Sequence, residues 1–190
     1  MKTKNEFLQL GGVLLIITAV VALLLGYFNS LTADVIAANV EAKKLMSMQN
    51  VMPEAGSFEL LDVAVPDDSV ISEIQKGFFV TGEPAGYCFT LKPEGYGGEL
   101  TVVAGVDLEG KVTGVDIIGH SETPGLGANA DNPEWLKQFI GKSGELTVVK
   151  SNPGDSQIQA VTSATRTSRA VTGAVSQALA FVETLEKEGK

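Results

Sequence analysis

The chain of 190 residues is poor in the side chains from which many sites are assembled, with one cysteine, one histidine and one tryptophan. A single cysteine, Cys88, can build neither an internal disulfide framework nor a cysteine-based metal cluster. Set in the alternating run Tyr87-Cys88-Phe89, it reads as a small apolar side chain in a strand. Basic residues are also scarce: 14 Lys and Arg stand against 23 Asp and Glu, for a net charge of −9. Beyond the first thirty residues the balance is 12 to 22, more acidic still. A surface of that sign repels phosphate backbones, which excludes nucleic acid as a partner. Prolines number only 7 beside 21 glycines, and 44% of the chain is hydrophobic, the composition of a globular domain with many turns. The length admits one compact domain plus an anchor, and not two full domains. Repeats and low-complexity tracts are absent.

Charge is missing altogether from Phe7 to Phe28, FLQLGGVLLIITAVVALLLGYF, where Gln9 and Thr18 are the most polar members. Twenty-two residues at about 1.5 Å each span about 33 Å, enough to cross a hydrocarbon core of about 30 Å. A cleaved signal peptide has a shorter apolar region and a small-x-small exit, whereas this run leaves through Tyr27-Phe28. Lys2 and Lys4 precede the span and Asp34 is the first charge after it, so the positive-inside bias puts the N-terminus in the cytoplasm and the rest outside. The expectation is a single-pass protein of the inner, cytoplasmic membrane, with residues 1–30 as cytoplasmic N-terminus and transmembrane helix.

From Thr32 to Met52 a second, amphipathic helix is expected, capped by Thr32, with Val35, Ile36, Val40, Leu45, Met48 and Met52 on its apolar stripe. Pro53 and Gly56 end it, so residues 31–56 form a linking helix and 57–190 the domain. Two-residue alternation marks strands over Phe58–Val65, Ala85–Leu91, Leu100–Val106, Val112–Ile118 and Leu146–Val149. The third and fourth of these make a hairpin through Asp107-Leu108-Glu109-Gly110-Lys111. Asn132-Pro133-Glu134 has the pattern of a helix start, and Gly141 stops that helix. Thr167 to Lys187 is a long amphipathic helix. The fold class expected is α+β, an antiparallel or mixed sheet flanked by helices.

Two loops stand out. Gly119-His120-Ser121-Glu122-Thr123-Pro124-Gly125-Leu126-Gly127 follows a strand and contains the histidine. Glycine and proline there expose backbone N–H groups in a fixed shape that can bond a planar ligand, with close approach expected at Gly125. The same residues serve equally for an ordinary turn. Gln159-Ala160-Val161-Thr162-Ser163-Ala164-Thr165-Arg166-Thr167-Ser168-Arg169 opens the last helix. Hydroxyls there are commonly caps, yet free N–H groups, the helix dipole, Arg166 and Arg169 also favour an anion.

In order and spacing, Gly95-Tyr96-Gly97-Gly98, the hairpin turn 105–112 and His120-Ser121-Glu122-Thr123-Pro124-Gly125-Leu126-Gly127 resemble the G subunit of the Rnf electron-transport complex. More broadly they resemble the FMN-binding domain shared with the C subunit of the sodium-pumping NADH:quinone reductase. The last loop is similar to that family's flavinylation motif, Asp-x-x-Ser/Thr-Gly-Ala-Thr. Its final Thr matches Thr165, Thr162 takes the Ser/Thr place and Ala164 the Ala place, while Gln159 stands for Asp and Ser163 for Gly. The resemblance implies FMN joined covalently to Thr165 through a phosphoester and packed against Glu122, Thr123, Gly125 and Leu126. Thr162, Ser163, Ala164 and Lys150 would lie nearby. It also implies maturation by a flavin transferase, partnership with the other membrane subunits, and electron carriage in a ferredoxin:NAD oxidoreductase that moves ions. Neither a metal nor a stand-alone catalytic residue is expected. The C subunit of the quinone reductase and a flavin-free scaffold of the same fold are the rival readings.

Overall fold

The computed structural model describes residues 2–66 and 68–188. Helix α1, Lys2–Val51, is one unbroken helix of 50 residues. The expected break between an anchor and a separate linking helix is absent. Thr32 does not cap a new helix; its hydroxyl donates back to the carbonyls of Phe28 and Asn29 within α1. With no proline or glycine between Tyr27 and Met52 to interrupt it, the ladder continues. By contact the chain divides into two units, Met1–Ala42 and Lys43–Lys190. In the first, the described side chains are exposed all round, including Leu14, Ile16, Leu23 and Leu25. A helix that is apolar on every face and covered by nothing is long and apolar enough to cross a membrane.

The second unit is built on a five-stranded antiparallel meander, β1 Ala55–Leu60, β2 Ile71–Phe79, β3 Pro84–Leu91, β4 Thr101–Asp107 and β5 Val112–Gly119, in that spatial order. Two short parallel strands, β6 Thr147–Val149 and β7 Gln157–Gln159, form a separate ribbon. Between β5 and β6 lie a 3-10 turn at Gly127–Asp131, the short helix α2 Pro133–Leu136, and another 3-10 turn at Lys137–Phe139. Helix α3 is Thr165–Glu188.

Strand alternation sends one set of side chains to each face of the sheet. Tyr87, Phe89 and Leu91 of β3 and Val102, Ala104 and Val106 of β4 face the main core, which α3 closes with Val171, Val175, Ala178, Val182 and Leu185. Cys88 and Val103 face the opposite side and pack under Met48 and Val51 from the end of α1. The sheet is therefore covered on both faces. Gly105 and Gly114 make the second contact possible, because a Cβ at either would run into the Val51 backbone. Thr113 Oγ1 donates to the Val51 carbonyl at 2.6 Å, satisfying the helix end. Lys44, buried on the same turns, donates to both carboxylate oxygens of Glu73 on β2 at 2.7 and 2.6 Å.

The strands expected at 85–91, 100–106, 112–118 and 146–149 are present to within a residue or so, and the hairpin turn at Gly110 has φ +72. The first strand begins earlier than Phe58 and ends at Leu60. Leu61, Val63 and Val65 do alternate toward the core, but once Leu61 N has donated to Ile74 O the chain leaves the sheet. Strands β2 and β7 are missing from the sequence reading, and for β2 the reason is local. Bulges between Ile71 and Glu73 and between Gly77 and Phe78 put the buried Ile71 and Ile74 three residues apart, which destroys the two-residue signal.

Candidate functional site

The end of β5 and the start of α3 deliver the two singled-out loops to one place. Glu122 is the hinge between them. It is 6% exposed, and its Oε1 accepts the backbone N–H of Tyr96 at 2.7 Å and of Gly97 at 3.3 Å. The Gly95-Tyr96-Gly97-Gly98 turn closes on itself through Gly95 N to Gly98 O. It can wrap the carboxylate only because it lacks side chains: a Cβ at Gly95 would strike Oε1, and one at Gly97 would strike the Ser121 carbonyl. On its other side Glu122 meets Gly127, where a Cβ would collide with Oε2 and press on Thr167 Oγ1 of α3. Glu122, Gly127 and Thr167 thus join three chain segments.

Above this junction is a cavity of about 300 Å³ lined by Tyr96, Glu122, Thr123, Leu126, Gly127, Ser163, Ala164, Arg166 and Thr167. Tyr96 and Leu126 stand exposed at 73% and 44%, apolar surface available to a planar ligand. Thr167 is fully buried, and its hydroxyl has no hydrogen-bond partner among the described residues. A buried orphan hydroxyl on the wall of a cavity is the mark of a place completed by something else.

The α3 side is tied by local hydrogen bonds. Ser168 Oγ accepts the Val161 N–H at 2.9 Å and donates to the Ala164 carbonyl at 3.0 Å, folding residues 161–168 onto the helix start. The first helical residue is Thr165, two earlier than the sequence pattern indicated. It stands half-buried between Ala164 and Arg166 of the cavity wall, in the turn whose N–H groups lack intrahelical acceptors. Ser163 has φ +62, so the motif position at which the similar family carries Gly is left-handed here. Gln159 is exposed as a side chain, while its carbonyl takes the Trp135 indole N–H at 2.7 Å.

Of the residues the sequence singled out, Glu122, Thr123, Leu126, Ser163 and Ala164 line the cavity. Thr165 and Gly125 are bonded neighbours of lining residues. Thr162 is exposed one position outside, and Lys150 lies exposed beyond β6, outside the lining. Gly125 has φ +78 and open space around its Cβ position, so a left-handed turn already accounts for this glycine. Within the chain itself, the close approaches are at Gly95, Gly97 and Gly127. Tyr96, Gly127, Arg166 and Thr167 complete the wall; Arg166 was read as favouring an anion, while Tyr96 and Thr167 were not named as site residues. Thr167 carried a signal, a hydroxyl two residues into a helix whose other first-turn positions already offered caps.

The donor set suits FMN. Hydroxyls, an arginine and helix-start amides surround one end, and an apolar and aromatic rim with backbone amides surrounds the other. The FMN-binding domain family matches residues 95–180, which include both loops. The chain is 36% identical to the G subunit of the Na(+)-translocating ferredoxin:NAD(+) oxidoreductase complex of Acetobacterium woodii, over 94% of this chain and 93% of the relative. It is 29% identical to the G subunit of an ion-translocating oxidoreductase complex of Methanosarcina acetivorans, over 98% and 100%. Among solved structures, the C subunit of the Na(+)-translocating NADH-quinone reductase of Parabacteroides distasonis superposes with a TM-score of 0.57 at 21% identity, covering 76% of this chain and 92% of that one. NqrC of Shewanella oneidensis gives 0.53 at 21%, covering 72% and 74%. These two share the fold. With a paired-loop cavity, an FMN-binding match and an alignment along nearly its whole length, the chain belongs to the G-subunit family of ion-translocating oxidoreductase complexes.

Proposed function

We propose that the chain is the electron-carrying subunit of an ion-translocating ferredoxin:NAD oxidoreductase, holding FMN by a phosphoester to Thr165 Oγ1 on the outer side of the membrane. The observation that supports this most is the convergence of the Glu122–Gly127 loop and the α3 start on one cavity whose buried Thr167 hydroxyl has no partner among the described residues. FMN, when bound, supplies the redox chemistry. The chain's own residues bind and orient. The first-turn amides of α3 and Arg166 favour a phosphate at Thr165. The Thr167 hydroxyl offers a hydrogen bond into the cavity. Leu126 and Tyr96 cover apolar ring surface and limit water, and Glu122 fixes the Tyr96 turn against the loop. Attachment requires a flavin transferase, and the other membrane subunits of the complex complete the electron path. The flavin domain comprises residues 57–190 with the end of α1 from Lys43 packed on its sheet, and Lys2 and Lys4 orient it outward.

Intact mass of the purified chain should exceed the polypeptide by one FMN less one water, with the increment on the peptide containing Thr165. Fluorescence of the denatured band should vanish in Thr165→Ala and persist in Thr162→Ala. A fluorescent Thr165→Ala band would remove the assignment. A reporter fused after Lys190 should be active only when it matures outside the cytoplasm.

A further inference from the structure

The strand end and loop that carry His120 also border a second cavity, of about 500 Å³. Its wall includes Lys43, Ser47, Asn50, Asp116, His120 and Asp131. Ser47 is buried, and its hydroxyl has no partner among the described residues. His120 lines this cavity, two residues before Glu122 of the flavin cavity. Its Nδ1 accepts the backbone N–H of Glu122 at 3.3 Å, which places the neutral ring's proton on Nε2. Nε2 lies 3.9 Å from Asp131 Oδ2. One ring nitrogen thus tethers the residue that organises the flavin cavity, and the other faces a carboxylate in a space open to solvent.

We propose that His120 is a positioning residue whose protonation state sets the placement of Glu122, and through it the wall of the flavin cavity. The proton comes from solvent in the second cavity and binds Nδ1; no other bond changes. An imidazolium has N–H at both nitrogens and accepts nothing, so the Glu122 N–H loses its acceptor while the attraction to Asp131 grows. Glu122 then loses one tether while its carboxylate stays on the Tyr96 and Gly97 amides, and those two amides are the turn that carries the exposed Tyr96 ring. The charged groups facing the ring are Asp131 from the 3-10 turn, Asp116 from β5, Lys43 from α1 and Glu122 from its own loop. Burial raises the Asp131 carboxyl above its ordinary range, and Asp116 adds to this, while His120 and Lys43 pull the other way.

The first measurement does not depend on flavin. In the full chain in detergent, carrying Thr165→Ala to keep it flavin-free, the Glu122 amide resonance should shift over the pH range in which the His120 ring resonances shift. His120→Asn places a carbonyl oxygen near the Nδ1 position and cannot titrate, so the Glu122 amide should hold one shift across that range. A Glu122 amide that ignores the His120 titration, or that titrates identically in His120→Asn, would overturn the inference. The second measurement rests on the flavin reading above. In flavin-loaded protein, a step in the midpoint potential over the same pH range should be present with His120 and absent with Asn. Persistence of that step in the Asn variant also counts against the proposal. A chain that takes up no flavin leaves the amide titration to decide.

Discussion

Ser163 and two glycines show how backbone and neighbours dictate residue choice differently at each position. Ser163 occupies a left-handed conformation at φ +62, which disfavours an L side chain by about 1–2 kcal/mol. Part of that gain is offset by the greater unfolded-state freedom of glycine. Ser163→Gly should therefore stabilise the domain by about 0.5–1 kcal/mol, read as a higher melting temperature. Gly127→Ala should do the reverse: its Cβ meets the Glu122 carboxylate and the Thr167 hydroxyl, and forcing an atom there costs about 1–3 kcal/mol in urea unfolding. Gly173 is the control, being exposed on α3 with open space around it. Gly173→Ala should stabilise by roughly 1 kcal/mol through helix propensity alone. Cys88 belongs to the same scale. Burial pushes its thiol up to about 12, so alkylation of the native protein should be slow and should follow unfolding. Rapid labelling of native Cys88 would show that the α1 end does not stay on the sheet.

At the scale of elements, the contact between the last turns of α1 and the sheet carries an electrostatic load that pH can read. Burial acts most on Glu73 and pushes its carboxyl up. Hydrogen bonds from Lys44 and Gln75 and the Lys44 charge together outweigh it, so the group sits below its ordinary value of 4.5. A depressed carboxylate contributes stability that is fully present above the unfolded-state value and is lost as pH falls through the folded-state value. Unfolding free energy should thus decline below about pH 4.5, and Lys44→Met should flatten that decline. At neutral pH the same variant should be weaker by about 1.5–3 kcal/mol, the range for hydrogen bonds to a charged group. An acid limb identical in the variant would show that other carboxylates carry it. None of this pairing was legible in the sequence, because Lys44 and Glu73 are 29 residues apart and β2 itself was hidden by its bulges. What was legible is equally physical. β3 to β5 are runs in which local alternation and short turns coincide with the pairing, so the hairpin and its neighbour could be read directly. The two loops were legible as unusual. Their convergence was not, since Glu122 reaches Tyr96 across 26 residues and Gly127 meets Thr167 across more. No periodicity reports contacts of that kind. Thr32 shows the opposite failure, where a residue type suited to a cap lies inside a continuous helix and bonds backward.

For the whole molecule, the continuous α1 means that one helix serves two environments, with all-exposed apolar residues through Ala42 and buried contacts from Lys43 onward. The boundary of the folding unit is therefore inside a helix, ahead of the Pro53 that composition alone would nominate. Met48, Val51 and Met52 are each almost wholly buried, and full burial of such side chains contributes about 1.5–3 kcal/mol apiece. Ordering two helical turns offsets part of this at roughly 1–2 kcal/mol per residue, so the turns are stable because they are packed. A chain starting at Lys43 should be soluble without detergent and unfold in one cooperative transition. A chain starting at Pro53 lacks the cover over Cys88 and Val103, the Lys44–Glu73 pair and the carbonyl that Thr113 donates to. It leaves an apolar strip and a buried-type carboxylate facing water. Its transition should be broader and lower, with aggregation on standing and fast alkylation of Cys88. Equal melting curves for the two truncations would mean that α1 ends functionally at the membrane and that its contacts with the sheet contribute nothing to the domain. Restoring residues 43–52 as a separate peptide should raise the melting temperature of the shorter chain in proportion to peptide concentration, as a ligand of the folded state does.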